Sequence, residues 1–121
     1  MEITAAVIAF SALAHPSRLA VFRLLVKAGP EGLKAGDIAD TLGIPPASLS
    51  FHLKELASAG IARARAESRF VIYSANFTTM GALVGYLTDD CCAGHPEVCA
   101  PIRTAAFATP PRKHRVPEKN E

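Results

Sequence analysis

Three cysteines lie close together in the segment TDDCCAGHPEVCAP. Cys91, Cys92 and Cys99, here called the cysteine cluster, are the only cysteines among the 121 residues and fall within nine positions. Thiolate sulfur is a soft ligand that selects soft ions. Adjacent side chains diverge by about 100° on a regular helix, so neighbouring sulfurs need irregular backbone to point at one centre. Gly94 and Pro96 supply such backbone, and the segment therefore predicts an ion-binding loop.

The number and charge of the ligands indicate which ion would bind. Three thiolates without a compulsory fourth ligand suit a trigonal centre such as As(III) or Sb(III). Arsenious acid that condenses with three thiols gives a neutral product, so the adjacent Asp89 and Asp90 need no compensation. A divalent ion would leave excess negative charge there. Three other interpretations stay open: a redox-sensing disulfide between Cys92 and Cys99, a structural zinc held by the cysteine cluster and His95, or thiols acting as small hydrophobic side chains.

Residues 3–14 form an apolar run that predicts a helix without a polar face. A surface helix is not apolar all round, so this helix is expected to be buried, with a subunit interface as one place for it. The run lacks the positively charged n-region of a secretory signal and follows Glu2 instead. No apolar run reaches the roughly 18 residues that a membrane span requires. We therefore expect a cytoplasmic protein with no membrane contact, in which the thiols stay reduced.

Proline, glycine and asparagine mark the ends of the other elements. Pro16 suits the first turn of a helix, Gly60 a helix end, and Asn76 a helix cap. After the first helix, three more helices are expected: one from Pro16 to Gly29, a short one over 34–42, and one from Pro45-Pro46 to about Ser58. A hairpin of IARARA and FVIYS with a turn at 67–69 should follow, and then a last helix after Asn76 to about Leu87. This order predicts an α+β, mostly α fold, a winged helix-turn-helix of about five helices plus a β-hairpin wing.

The stretch SLSFHLKEL at 48–56 has two different faces on a helix. Leu49, Leu53 and Leu56 share one face, which should dock onto the domain. Short hydroxyls, an imidazole and a lysine can contact base edges and phosphates in the major groove. Residues 46–75 contain four basic and two acidic residues, so a nucleic acid, if one is bound, is expected at this segment or at the basic tail over 103–121. The residues expected on the DNA-facing side are Ala47, Ser48, Ser50, Phe51, His52 and Lys54.

Several linked motifs together resemble one known family. LAHPSRLAVFRLL at 13–25, DIADTLGIPPASLSFHLKELASAGI at 37–61 and the strand RFVIY are similar to the ArsR/SmtB family of winged-helix, metal-responsive repressors. The resemblance implies a homodimer that binds double-stranded, palindromic operator DNA when free of inducer and leaves it when an ion binds. It places Ser48, Ser50, His52 and Lys54 in the recognition helix and Arg65 and Arg69 in the wing.

The sequence departs from that family at its best-known ion site. Arsenite-sensing members often carry a cysteine pair in the third helix, but here Lys34 and Gly36 stand in its place, and only Asp37 is retained. The histidine and carboxylate set of the zinc-sensing members is absent from the last helix as well. The expected inducer site is therefore the cysteine cluster, with As(III) as the inducer and Sb(III) as a second candidate. The expected function is an arsenite-responsive transcriptional repressor.

An enzyme is the alternative from a different class. A phosphatase-like arsenate reductase holds an oxyanion in a C-x5-R loop, whereas Cys99 and Arg103 form C-x3-R. The sequence also lacks a glycine-rich phosphate loop and a recognisable set of serine, histidine and acid. We therefore predict that the chain is not an enzyme.

Dimerisation is expected to use the first and last helices, because both are too apolar to be exposed. Gly81 and Gly85 would let two helix backbones approach closely. The expected interface residues are Val7, Phe10, Met80, Leu83, Val84 and Leu87. Three segments follow: a DNA-binding and dimerisation domain over 1–90, an inducer-binding segment over 91–107 and a disordered tail over 108–121.

Overall fold

Eight elements of secondary structure lie within residues 3–88. The structure, a computed structural model, describes residues 1–89, 95, 97–98, 100–101 and 105. Backbone contacts divide the chain into two units, Met1–Leu87 and Thr88–Glu121. The elements are α1 (Ile3–Leu13), α2 (Pro16–Ala28), β1 (Leu33–Lys34), α3 (Ala35–Leu42), α4 (Pro46–Ser58), β2 (Ala62–Glu67), β3 (Phe70–Ala75) and α5 (Phe77–Thr88).

The element order confirms the predicted winged helix-turn-helix fold, α+β and mostly α. α3 and α4 are the two helices of the motif, and β2 and β3 form the wing. The first compact unit ends at Leu87, close to the predicted limit of the DNA-binding domain. The proposed inducer-binding segment over 91–107 lies largely outside the described residues, and the tail over 108–121 lies wholly outside them. Both segments stay predictions.

β3 is the central strand of a three-stranded antiparallel sheet. β2 pairs with it along its whole length, which confirms the predicted hairpin. β1 is an additional strand on the other edge, where Leu33 pairs with Tyr73. Gly32 permits this close approach, because its φ is +74° and a side chain there would collide with the carbonyl oxygen of Tyr73. A two-residue strand is too short to show a periodicity of its own, so only its pairing with β3 reveals it.

Side chains cap the starts of two helices, one of them at a position that the sequence predicts. Nδ1 of His15 accepts a hydrogen bond from the backbone N–H of Ser17 at 3.1 Å, at the start of α2. Oδ1 of Asn76 accepts from the N–H of Thr79 at 3.2 Å, so the predicted cap of α5 is confirmed. Nδ2 of the same Asn76 donates to the carbonyl oxygen of Gly60 at 2.9 Å. The start of α5 is thereby tied to the residue just beyond α4.

The hydrophobic core lies where α2, α3 and α4 pack against one another and against the sheet. Its large, fully buried side chains are Val21, Leu25, Ile38, Leu49, Leu53, Leu56 and Ile61. Three of these come from α4, so one side of this helix is fixed on the domain. Among the described helices, none is by itself long and apolar enough to cross a membrane; α1 and α2 reach that length and apolarity only as a pair, bent by 102° at the break.

Candidate nucleic-acid interface

α4 carries its leucines on one side and most of its polar side chains on the other. Leu49, Leu53 and Leu56 are buried against the domain, as predicted. Of the six residues of α4 predicted to face DNA, five are exposed: Ala47, Ser48, Ser50, Phe51 and Lys54. The helix thus presents hydroxyls, one ammonium group and one phenyl ring to an outside partner.

His52 does not lie on that exposed side, and the prediction that placed it there is wrong. The residue is 9% exposed. Successive helical residues turn by about 100°, so His52 falls only about 40° from Leu56 and belongs to the buried side. Its ring lies 4.7 Å from the ring of His15, and its Nδ1 lies 3.5 Å from Nη1 of Arg18. The side chain therefore connects α4 to α2.

Burial controls the charge of this histidine. Removal of the imidazole from water lowers the pKa of His52 below its ordinary value, and the nearby His15 and Arg18 lower it further. Arg18 is held in turn by a hydrogen bond from its Nε to the carbonyl oxygen of Ala12 at 2.7 Å. His15, Arg18 and His52, here called the histidine link, join the end of α1, the start of α2 and the middle of α4. Neutral His52 is the form that the histidine link accommodates.

Two exposed residues of α4, Glu55 and Ser58, fall outside the predicted set. They follow Phe51 by four and seven positions, a helical spacing that puts them on the same side, so the signal is present in the sequence. A carboxylate can accept a hydrogen bond from the amino group of cytosine, although it repels phosphate. Both residues line a groove of about 440 Å³ between α1 and α4, together with Val7 and Ile8.

The wing presents its two predicted arginines unequally. Nη2 of Arg65 donates to the carbonyl oxygen of Glu31 at 3.0 Å, and its Nε lies 3.5 Å from the carboxylate of Glu67. Its guanidinium is therefore shared between the segment before β1 and its own strand. Ser68 and Arg69 form the two-residue turn between β2 and β3. The φ of Ser68 is +57°, and the side chain of Arg69 is exposed. No described acidic side chain forms an ion pair with Arg69, so Arg69 is better placed than Arg65 to contact a phosphate.

α1 has an unusual distribution of side-chain size. Its buried residues are the small Ala6, Ala9 and Ala12. Its larger exposed side chains are Ile3, Val7, Ile8 and Phe10. Within one chain, therefore, only the alanine side of α1 is buried. Those larger apolar side chains, which the prediction also expected to be buried, are exposed. Water contact with apolar surface costs about 25 cal/mol per Å², and contiguous apolar surface of this kind is typical of an interaction site.

The residues predicted for the dimer interface differ in burial. Val7, Phe10 and Leu87 are 55%, 38% and 65% exposed, whereas Met80 and Val84 are half-buried. Leu83 is 5% exposed and belongs to the core of its own domain. The prediction that Leu83 faces a partner is wrong, because α5 must bury one stripe against its own domain and Leu83 lies in that stripe.

The predicted ion site lies outside the described residues, because all three members of the cysteine cluster do. His95 is described and exposed, and its Nδ1 lies 3.3 Å from the carboxylate of Glu97. Among the side chains that the structure describes, no three of the His, Cys, Asp or Glu type gather closely enough to hold a metal ion. The expected roles of the cysteine cluster stay predictions.

Known proteins share both the sequence motif and the fold. A family model for a helix-turn-helix domain matches residues 13–65, which include α2, α3 and α4. The uncharacterized HTH-type transcriptional regulator YceK of Bacillus subtilis (strain 168) is 38% identical over 60 residues, or 50% of this chain. The matched part spans 59% of that relative's length.

Solved structures of other proteins share this fold. HlyU from Vibrio cholerae N16961 superposes with a TM-score of 0.57 at 27% identity, covering 72% of this chain and 97% of that one. The homodimeric winged helix-turn-helix DNA-binding domain (fragment 1–100) of Mb0332 from Mycobacterium bovis, a possible ArsR-family transcriptional regulator, gives 0.58 at 25% identity, covering 73% and 82%. The helix-turn-helix domain and these relatives indicate a DNA-binding regulator and not an enzyme, as predicted.

Proposed function

We propose that the chain is a transcriptional repressor of the ArsR family that binds double-stranded operator DNA as a homodimer and leaves it when As(III) binds. The observation that carries the DNA-binding part is the arrangement of α4 within a helix-turn-helix domain. Three leucines hold this helix on the core while serine hydroxyls and Lys54 face outwards. A helix held in this way can enter the major groove, where small donors and acceptors meet base edges.

The wing supports the same proposal through charge. Arg69 lies exposed at the tip of the hairpin, where a guanidinium can neutralise a phosphate next to the groove. Such a contact contributes affinity for any duplex and makes binding weaker at high salt. Sequence preference must then come from α4, and general affinity from Arg69 and Lys54.

A second copy of the chain is the partner proposed for the exposed apolar side of α1. Val7 and Phe10 on α1 and Leu87 on α5 expose apolar surface that the domain itself leaves uncovered. The domain of Mb0332, which has a similar fold, is a homodimer. Two copies related by a two-fold axis would hold two recognition helices about 34 Å apart, one turn of DNA, and so read two half-sites.

The cysteine cluster is the proposed inducer site. Arsenious acid, As(OH)₃, would condense with the three thiols to give a neutral As(III) trithiolate and three molecules of water, and Sb(III) can react in the same way. α5 ends at Thr88, and the cluster begins three residues later. Closure of the segment around the ion would therefore act on the end of the proposed dimer helix. A coupling of about 1 to 3 kcal/mol between the two sites would weaken DNA binding 5- to 150-fold.

The test is a fluorescence-anisotropy titration with a labelled duplex that the wild-type protein enriches from a random DNA library. Reductant is present throughout, so that disulfides cannot form. Arsenite should release the wild type. Cys99→Ser should bind the duplex within a few-fold of wild type but resist release, because two thiolates hold a trivalent centre less tightly than three. His95→Ala, the matched control in the same segment, should be released like the wild type.

The redox and zinc alternatives predict different results, the first in this titration and the second in a separate titration with Zn²⁺. Release of Cys99→Ser by arsenite would contradict the proposed inducer site. Release of the wild type by an oxidant but not by arsenite would indicate a redox sensor that uses Cys92 and Cys99. A His95→Ala variant that binds Zn²⁺ more weakly than wild type would indicate a zinc site. Failure to enrich any duplex would contradict the DNA-binding function itself.

A further inference from the structure

Phe51 is a large aromatic residue on the outer side of α4, where the fold does not use it. It is 57% exposed. Ala47 and Lys54, which precede and follow it by four and three positions, are exposed on the same side, so its ring does not belong to the leucine face. An apolar ring of this size in water gains free energy when a partner covers it.

The surroundings of Phe51 separate it from the apolar surface of α1. The groove between α1 and α4 is lined by Val7 and Ile8 on one wall and by Glu55 and Ser58, in the C-terminal half of α4, on the other; Phe51 is not among its lining residues. The exposed polar residues within one helical turn of Phe51 on its own side are Ser48, Lys54 and Glu55. A hydroxyl and an ammonium group suit a nucleic acid better than the apolar surface of a second protein, and the carboxylate can accept a hydrogen bond from the amino group of cytosine.

The ring of Phe51 also has a fixed neighbour on the buried side. Its centroid lies 5.9 Å from the ring of His52, in an edge-on arrangement. His52 is itself held by His15 and Arg18 in the histidine link. Phe51 therefore has an ordered partner that restrains its ring, and a restrained side chain loses less conformational entropy when it binds.

The major groove offers one apolar group to such a ring. Guanine, adenine and cytosine present hydrogen-bond donors and acceptors along this groove, whereas thymine adds a 5-methyl group. We propose that Phe51 contacts the 5-methyl group of a thymine in each half-site and so determines specificity at that base pair. This inference rests on the proposed DNA-binding function, because it assigns a base to a residue of the same helix.

Replacement of single thymines by deoxyuridine tests the proposal, since it removes the methyl group and leaves base pairing unchanged. The probe is the labelled duplex enriched from a random library by the wild-type protein, with each thymine replaced in turn. In the wild type, loss of one methyl group at the contacted position should weaken binding by about three- to fivefold. Phe51→Ala should bind the unmodified duplex more weakly and lose its sensitivity to deoxyuridine at that position, so that the two changes are not additive.

Two control variants sharpen the result. Phe51→Leu keeps an apolar side chain and should retain part of the methyl sensitivity. Ser50→Ala, on the adjacent residue, should weaken binding to the unmodified and the deoxyuridine duplex by the same factor, and so keep the full methyl sensitivity. A wild type that is insensitive to deoxyuridine at every position would overturn the assignment of Phe51 while leaving the DNA-binding function intact. The same holds for a Phe51→Ala variant that keeps the full deoxyuridine effect. Failure to enrich a duplex would instead contradict the proposed function, and the assignment with it.

Discussion

α1 and α4 are held on the same hydrophobic core, yet they bury opposite kinds of side chain. α1 packs through small residues such as Ala9 and exposes large apolar ones such as Val7. α4 packs through large residues such as Leu53 and exposes small polar ones such as Ser50. The inner side of each helix is sufficient to attach it to the domain.

The difference shows that the outer sides are not determined by folding of the single chain. Apolar surface left in water is unfavourable, so the outer side of α1 is explained by a protein partner. Serine, lysine and one phenyl ring on the outer side of α4 are explained by a partner that is polar, anionic and locally apolar, as the major groove is. We therefore assign the two helices to two different partners, and each of the following variants tests part of that assignment.

The largest expected effect comes from a charge on the outer side of α1. Val7→Asp should convert the proposed dimer to a monomer, because an unpaired charge buried in an interface costs about 3 to 5 kcal/mol. Light scattering and sedimentation measure the change. Lys54→Asp is the control with a charge change on α4; it should weaken DNA binding but remain dimeric. A Val7→Asp protein that stays dimeric would show that α1 does not face the second copy.

The inner side of α4 should be sensitive in a different way. Leu53→Ala removes a side chain that is 1% exposed, and such a cavity costs about 2 to 5 kcal/mol in the free energy of unfolding. Ser50→Ala, three positions earlier on the outer side, should change it by less than about 0.5 kcal/mol. Urea denaturation followed by circular dichroism measures both values. Similar losses in the two variants would contradict the division of α4 into an inner and an outer side.

The wing extends the polar surface, and its two arginines should contribute unequally. Arg69→Ala should weaken binding to all duplexes and reduce the slope of log affinity against log salt by about one. Arg65→Ala should reduce that slope less, because its guanidinium is shared by the carbonyl oxygen of Glu31 and the carboxylate of Glu67. Anisotropy titrations at several salt concentrations measure both slopes. A larger loss of slope for Arg65→Ala would reverse this order.

The smallest expected effect is a pH dependence that originates at the contact between α2 and α4. The pKa of His52 is lowered in the fold, whereas a histidine in the unfolded chain has a pKa of about 6.5. The unfolded state therefore takes up a proton first as the pH falls, and the free energy of unfolding should decrease below about pH 6.5. His52→Gln should flatten this dependence, and the exposed His95→Gln should leave it unchanged. Urea midpoints at pH 7.5 and 5.5 test the difference; an unchanged slope in His52→Gln would contradict it.

Much of this architecture can be predicted from local signals. Pro16 and Asn76 begin helices where the sequence predicts them, and Gly60, whose φ is +83°, follows the end of α4 as expected. The leucine spacing of α4 correctly predicts its buried side. These signals depend on residues a few positions apart, because caps and helical faces are formed within single elements.

Contacts between distant parts of the chain are decided by the tertiary structure. β1 exists because Leu33 pairs with Tyr73, forty positions away. His52 is buried because His15 and Arg18, more than thirty positions earlier, pack against its side of α4. The sequence by itself therefore determined the helices, the leucine side of α4 and the outward position of Phe51, whereas only the packing of α2 against α4 decided that His52 contacts His15 and Arg18. The physical reason is that periodicity within one helix gives the direction of its buried side, whereas the width of that side and the residues packed against it depend on which surfaces meet.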